Sequence, residues 1–189
     1  MKTAIIFHSV CGNTYLVAKA FYESFLKKGK EVEIYRVWDE NLEELSERFP
    51  VAKEYLEEIM NIPIAKWGDI LDKEQIILGC PTYYGNVSAE MKAYMDAASE
   101  FWAEGKLIGK RLTVFTSAGS PEGGGHLCLQ ALNTFGQHMG MMLQSIPPNL
   151  VPNEDIPAYG MIHYSGALGD QRPGEKLLCA IDKYVEKYV

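Results

Sequence analysis

The chain has 189 residues, 47% of them hydrophobic, and carries four cysteines and a formal net charge of −7. This length and apolar content suit one substantial core, so we expect a single domain over residues 1–189. The acidic balance, without a basic cluster, argues against a nucleic-acid partner. No apolar run approaches the roughly 20 residues of a membrane span, and the cysteines lack the spacing of a metal site. We therefore expect a cytoplasmic protein with reduced thiols, without a membrane partner and without a metal.

Apolar runs alternate with helical patterns along the chain. Buried strands are predicted at residues 3–8, 75–80 and 112–117, a strand nearer the sheet edge at 31–36 and a further strand at 141–146. Helices are predicted at residues 14–28, 39–61, 88–104, 125–139 and 173–188, the last with Pro173 in its first turn. This alternation indicates an α/β fold, a doubly wound sheet of about five parallel strands. The irregular stretch 147–172 is long enough to predict a functional loop or an interface.

The first predicted strand runs directly into a polar turn and then a helix. The turn consists of Ser9, Val10, Cys11, Gly12, Asn13 and Thr14. Free backbone N–H groups and the positive end of a helix dipole meet there, which suits a phosphate. The turn has no Lys or Arg and lacks the glycine spacing of a dinucleotide or triphosphate loop. A neutral cradle for a phosphate monoester and an ordinary turn without a ligand both remain open.

Two more strands end in unusual loops, which we expect to open on the same sheet edge. The second loop offers aromatic faces and consists of Pro81, Thr82, Tyr83, Tyr84, Gly85 and Asn86. The third is rich in glycine and includes Ser117, Ala118, Gly119, Ser120, Gly123 and Gly124. Singly, these loops could be surface packing and a flexible turn. Together with the anion cradle, they favour a phosphorylated flat cofactor, and FMN fits best.

Motifs along nearly the whole chain follow the order of a known family. They are S-V-C-G-N-T, G-C-P-T-Y-Y-G-N-V-S-A-E-M-K, G-K-R-L-T-V-F-T-S-A-G, G-G-G, H-M-G-M, Y-G and G-D-Q-R-P-G-E. The chain resembles the flavodoxin-like superfamily and, within it, the WrbA-type NAD(P)H:quinone oxidoreductases and NADPH-dependent FMN reductase-like flavoproteins. The resemblance implies a three-layer sandwich with strand order 2-1-3-4-5. It also implies bound FMN, with NAD(P)H as hydride donor and a quinone as acceptor.

The resemblance assigns roles to individual positions. It implies that the first loop holds the FMN phosphate, that the second lies along the isoalloxazine, and that the third gives backbone contacts to the ring's polar edge. It places His138 near the flavin and Trp102 in a substrate pocket shared with a neighbouring subunit of a tetramer. Packing or capping for His138, and helix packing for Trp102, are equally open. No side chain is expected to be catalytic, because the flavin N5 carries the hydride.

Two other functions remain open. An electron-transfer flavodoxin would carry one electron between protein partners, and a flavin-binding regulatory protein would have no turnover. Carriers surround their flavin with acidic residues, whereas Glu122 is the only acid in the second and third loops. This favours a small-molecule acceptor. The sequence leaves open the choice between NADH and NADPH, and a homodimer as well as the tetramer.

Overall fold

A computed structural model describes residues 1–151 and 157–189 as a central parallel sheet with helices on both faces. The strands are β1 (Thr3–Phe7), β2 (Val32–Arg36), β3 (Gln75–Pro81), β4 (Arg111–Ala118), β5 (Met142–Leu143) and β6 (Met161–Tyr164). The helices are α1 (Asn13–Lys27), α2 (Leu42–Arg48), α3 (Lys53–Met60), α4 (Ala89–Asp96), α5 (Ser99–Ala103), α6 (Gly125–His138) and α7 (Glu175–Tyr188). Three short 3₁₀ turns lie at Pro50–Ala52, Trp67–Ile70 and Pro148–Leu150.

The sheet confirms the predicted strand order, except that two short strands occupy its last position. Its order is β2-β1-β3-β4-β5, and every pairing is parallel. β3 covers one edge of β4 over residues 111–117. On the other edge, β5 pairs with residues 111–112 and β6 with residues 115–118. Two short strands therefore share the fifth position, beside opposite ends of β4.

The sheet separates two buried apolar clusters, as expected for strands covered on both faces. One cluster packs α4 and α6 against alternate strand residues such as Leu78 and Val114. The other packs α1 and α7 against Ile77 and Phe115 on the opposite face. The three-layer sandwich predicted from the sequence is confirmed. Within the described ranges, none of the helices has the length and apolar content needed to cross a membrane.

Several predicted elements have different limits in the structure. The helix predicted at 39–61 is broken into α2 and α3 because Pro50 cannot continue the first of them. The helix predicted at 88–104 likewise divides into α4 and α5, and the strand predicted at 141–146 is reduced to β5. Pro173 precedes α7, which begins at Glu175 after Gly174. The expectation that 147–172 is irregular is wrong where β6 forms, and its residues 152–156 lie outside the described part.

Candidate functional site

A cavity of about 610 Å³ opens at the carboxyl edge of the sheet, where ligands bind in doubly wound folds. Its volume lies within the range of roughly 300–1,000 Å³ typical of small-molecule sites. The cavity is lined by residues from all three predicted loops: Ser9, Val10, Cys11, Asn13, Thr14, Pro81, Thr82, Tyr83, Ser117, Ala118 and Gly119. The convergence expected of these loops is therefore present in the structure.

The first loop leaves its backbone N–H groups and the Ser9 hydroxyl free for a ligand. Gly12 takes the N-cap position of α1 with φ +83°, and no side chain caps the helix. Across the described residues, the backbone N–H groups of residues 10–14 have no acceptor. The Ser9 hydroxyl is buried and also without a partner there. Free donors at a helix N-terminus, beside a buried hydroxyl, form a cradle for an anion.

Direct hydrogen bonds hold the three loops together. The Thr14 and Ser117 hydroxyl oxygens are 2.7 Å apart, which joins the first loop to the third. The Thr82 backbone N–H donates to the Ser117 carbonyl at 2.7 Å, which joins the second loop to the third. A Cβ on Gly124 would lie 2.7 Å from the Gly85 Cα, so these glycines allow the tips of the two loops to touch.

The second loop forms a tight turn at the cavity edge. The backbones of Tyr83 and Asn86 exchange two hydrogen bonds of 3.0 Å, and Tyr84 and Gly85 between them have φ of +52° and +75°. A positive φ is unfavourable for tyrosine, and the Tyr84 side chain is fully exposed, so burial of the ring does not offset this backbone strain. Tyr83 lines the cavity, and burial raises the pKa of its phenol, which therefore stays protonated.

A fourth loop, which the sequence reasoning did not assign to the site, completes one wall. It lines the cavity with Ser165, Gly166, Ala167, Leu168, Gly169 and Asp170. The Ser165 backbone N–H donates to the Ala118 carbonyl at 2.8 Å, and Asn13 Nδ2 donates to the Gly169 carbonyl at 2.6 Å. Burial lowers the pKa of His163, so its neutral ring donates from Nε2 to the Gln171 carbonyl at 2.8 Å. The G-D-Q-R-P-G-E motif was the available signal for this loop.

Arg172 ties the first loop to the segment that joins α2 to α3. Its guanidinium donates to the Cys11 carbonyl at 2.7 Å and to the Val51 carbonyl at 3.3 Å, and it also pairs with Glu54. The same group lies over the Tyr55 ring, 5.0 Å from its centroid. Arg48, Phe49, Pro50 and Val51 line the adjoining part of the cavity. This segment, predicted to be part of one helix over residues 39–61, is therefore part of the site wall.

A buried polar cluster lies directly before the first loop. His8 Nε2 is 3.0 Å from the Asp39 carboxylate, and His8 Nδ1 is 3.7 Å from that of Glu90. Burial opposes ionisation of Asp39, but the hydrogen bonds from His8 and the Asn41 N–H outweigh it and lower the Asp39 pKa. The sequence motifs assign no site role to His8. The structure adds that His8 links the ends of β1 and β2 beneath the cavity.

The other predicted contact residues lie outside the cavity wall. Gly12, Tyr84, Gly85, Asn86, Ser120, Gly123 and Gly124 belong to the three loops but do not line it. His138 ends α6 and lines a second cavity of about 410 Å³ between α4 and α6. Trp102 on α5 is 60% exposed. Contacts of these residues with flavin or substrate remain predictions.

The residues present fit FMN. A phosphate would meet free N–H groups and the unpartnered Ser9 hydroxyl at the first loop. A flat ring would meet the apolar side chains that line the cavity, among them Tyr83, Phe49 and Leu168. The cavity wall is nearly neutral, because within the described chain it has one cationic side chain, Arg48, and one carboxylate, Asp170. Polar donors at one end and apolar surface at the other match a phosphorylated flavin.

The sheet order and the position of the cavity define an α/β protein of the flavodoxin-like class. Solved structures agree: a flavodoxin, WrbA-like protein from Agrobacterium tumefaciens superposes with a TM-score of 0.68 at 19% identity, covering 97% of this chain and 92% of that chain. The match to Flavodoxin 1 from Bacillus cereus has a TM-score of 0.62 at 20% identity and covers 100% of both chains. At these identities the likeness concerns the fold alone.

The family is given by the sequence itself. Residues 1–151 match the family described as NADPH-dependent FMN reductase, and the chain belongs to that family. It is 30% identical over 196 residues to the NAD(P)H dehydrogenase (quinone) of Geotalea uraniireducens (strain Rf4), covering 100% of this chain and 96% of the relative. It is 34% identical over 147 residues to the protein of that name from Archaeoglobus fulgidus, covering 78% and 77% respectively.

Proposed function

We propose that the protein is an FMN-dependent NAD(P)H:quinone oxidoreductase. The observation that carries this proposal is the cavity at the carboxyl edge of the sheet, where an uncapped helix start and the free Ser9 hydroxyl face apolar walls. Family membership and the names of the relatives support the same activity. FMN, when bound, supplies the hydride-transfer chemistry that connects NAD(P)H with a quinone.

The residues of the chain bind the FMN, fix the loops around it and offer a hydrogen bond to the bound ligand. The first loop would hold the phosphate, and Thr14 fixes that loop to Ser117 and so to the third loop. The Tyr83 phenol, whose pKa is raised, stays protonated and can donate a hydrogen bond to a bound ligand. Burial also raises the pKa of Cys11, so this residue stays a thiol and is not an activated nucleophile.

The near-neutral wall supports an enzyme rather than a carrier. Protein docking by an electron carrier would require an acidic rim, and in the described residues Asp170 is the only carboxylate on the cavity wall. We keep cytoplasmic residence as part of the proposal, since all four cysteines are free. We also keep assembly into a homo-oligomer, for which the exposure of Trp102 (60%) and Ile108 (71%) gives support.

Anaerobic rapid mixing tests the activity. The protein is loaded with FMN and mixed with NADH or NADPH, and the visible absorption of the flavin is followed. We expect bleaching by at least one nucleotide and recovery of the absorption when benzoquinone is added. Bound flavin that neither nucleotide bleaches would remove the oxidoreductase assignment.

A pair of serine variants tests the site itself. Ser9→Ala removes a hydroxyl that has no partner among the described residues, so it should leave the stability of the apoprotein unchanged and weaken FMN binding by about tenfold. Ser24→Ala is the matched control, because this buried hydroxyl on α1 donates to Asp182 at 2.5 Å. It should cost about 1 kcal/mol of stability and leave FMN binding unchanged. If Ser9→Ala left FMN binding unchanged and Ser24→Ala weakened it, the phosphate would have to bind elsewhere.

A further inference from the structure

Two cysteines lie close together beside the wall of the cavity. Cys80 precedes the last residue of β3, Cys128 lies on α6, and their Sγ atoms are 3.7 Å apart. Both side chains are fully buried, and both thiols are free. A disulfide has an S–S distance of ~2.05 Å, so the two sulfurs would need to approach by roughly 1.7 Å.

A short chain of hydroxyl groups connects this pair with the cavity. Thr116 Oγ1 lies 3.4 Å from Cys128 Sγ and 2.8 Å from Thr82 Oγ1. Thr82 lines the cavity, and Thr116 itself is buried between the two cysteines and Thr82. Thr116 Oγ1 also donates to the Cys80 carbonyl at 2.7 Å. The polar side of the cysteine pair therefore faces Thr82 and the cavity, although both thiols are buried.

The two sulfurs differ in character. The hydrogen bond from Cys80 lowers the pKa of Cys128, and the hydroxyls of Thr116 and Thr82 act in the same direction. Burial raises the pKa of Cys80. The Thr116 hydroxyl can also donate to Cys128 Sγ at 3.4 Å, which favours a thiolate at that sulfur. Because a thiolate is the nucleophile in thiol chemistry, Cys128 is suited to attack and Cys80 to complete a disulfide afterwards.

We propose that Cys80 and Cys128 are a redox-active dithiol, which hydrogen peroxide reaching it from the cavity oxidises to an intrachain disulfide. The Cys128 thiolate attacks one oxygen and breaks the O–O bond; Cys128 becomes a sulfenic acid, and the hydroxide that leaves takes up the Cys128 proton to form water. The Cys80 sulfur then attacks the sulfenic sulfur. The S–O bond breaks, and the hydroxyl leaves with the Cys80 proton as a second water. The sulfurs lose two electrons, and the peroxide gains them.

Peroxide is the oxidant of choice because both thiols are fully buried. A quinone or a protein disulfide would have to contact the sulfur directly, whereas a small neutral oxidant needs only a transient opening. The inference does not depend on the proposed quinone reductase activity, and its test measures covalent chemistry rather than turnover.

Thiol mapping of the full-length, FMN-loaded protein tests the proposal. The protein is treated with hydrogen peroxide, the peroxide is removed with catalase, and the chain is unfolded, alkylated and digested. We expect Cys80 and Cys128 to escape alkylation and a Cys80–Cys128 linked peptide that disappears on reduction. Full alkylation of both Cys80 and Cys128, under peroxide that oxidises the exposed Cys179, would overturn the proposal. Linked peptides that contain only Cys11 or Cys179 would do the same.

Single variants separate the two roles. Cys80→Ser should leave a sulfenic acid on Cys128, because the resolving thiol is gone, and dimedone should trap it when the oxidised chain is unfolded in its presence. Cys128→Ser should leave Cys80 at least about tenfold less reactive towards peroxide. Cys179→Ser, on the exposed side of α7, is the control and should still give the linked peptide. If a core variant fails to fold, the peptide map of the unmodified chain decides alone.

Discussion

Replacement of Gly12 by Ala tests how the phosphate loop is built. Gly12 has φ +83°, a conformation that costs an L-residue roughly 1–2 kcal/mol. A Cβ at this position would also lie 2.5 Å from Cδ2 of Tyr55. Displacing that half-buried ring should cost about 1–3 kcal/mol more, as overpacking does elsewhere. The chain offers a matched control in Gly29, which has φ +66° and where an added Cβ would meet no heavy atom within 4 Å.

The two variants should therefore differ in both stability and ligand binding. Gly29→Ala should lower the thermal midpoint of the apoprotein by about 2–8 °C, which is the backbone strain alone. Gly12→Ala should lower it further by the cost of moving Tyr55. It should also weaken FMN binding by about tenfold or more, because the free N–H groups of the loop shift. Riboflavin lacks the phosphate, so its affinity should change little.

Thermal denaturation of the apoproteins and fluorescence titration with FMN and riboflavin measure these effects. A Tyr55→Ala change in the Gly12→Ala background should recover the packing loss and leave the backbone strain. Equal loss of stability in both glycine variants, with unchanged FMN affinity in Gly12→Ala, would refute the reasoning. It would mean that neither Tyr55 nor the phosphate depends on the geometry of this turn.

Three further results are expected. Tyr84→Asn should raise the free energy of unfolding by up to about 1 kcal/mol, because asparagine tolerates φ +52° and the tyrosine ring is fully exposed. The same change should weaken substrate or flavin binding. Unchanged binding would show that Tyr84 contacts neither ligand. Cys11→Ser should change the turnover rate by no more than about twofold, because burial keeps Cys11 a thiol rather than a reactive thiolate. A complete loss of turnover would show that the thiol takes part in the chemistry. Burial lowers the pKa of His163 from 6.5, so the unfolded chain binds a proton more readily than the folded protein. The free energy of unfolding should therefore decrease as the pH is lowered past about 6.5. In His163→Asn this decrease should be less steep.

Much of the fold and the ring end of the site follow from local sequence. The strands β1 and β3 carry continuous apolar runs, β4 interrupts its apolar residues with threonines, and all three strands end in loops at the same edge. The Thr82 N–H reaches the Ser117 carbonyl at 2.7 Å because β3 and β4 are neighbours in register. The order of these strands was therefore enough to predict that the second and third loops meet.

The rest of the site depends on contacts that no local pattern encodes. Arg172 and Cys11 are 161 positions apart in sequence, yet their hydrogen bond brings the fourth loop to the first. That approach depends on β6, whose four residues lie within a stretch rich in glycine and proline. A single short run of this kind cannot be distinguished from loop by periodicity. The break at Pro50, by contrast, was readable from the sequence, although its place in the cavity wall was not.

The two ends of the cavity therefore have different physical origins. The ring end is fixed by adjacent strands of the sheet core, which are the last elements to open in a folded domain. The phosphate end is held by Arg172, Asn13 and Tyr55, which join the first loop to segments on the outside of the sandwich. Partial opening should release the fourth loop and the α2–α3 segment first. Phosphate recognition would then weaken while the surface for the ring persists, so FMN should protect these outer segments from hydrogen exchange more than riboflavin does.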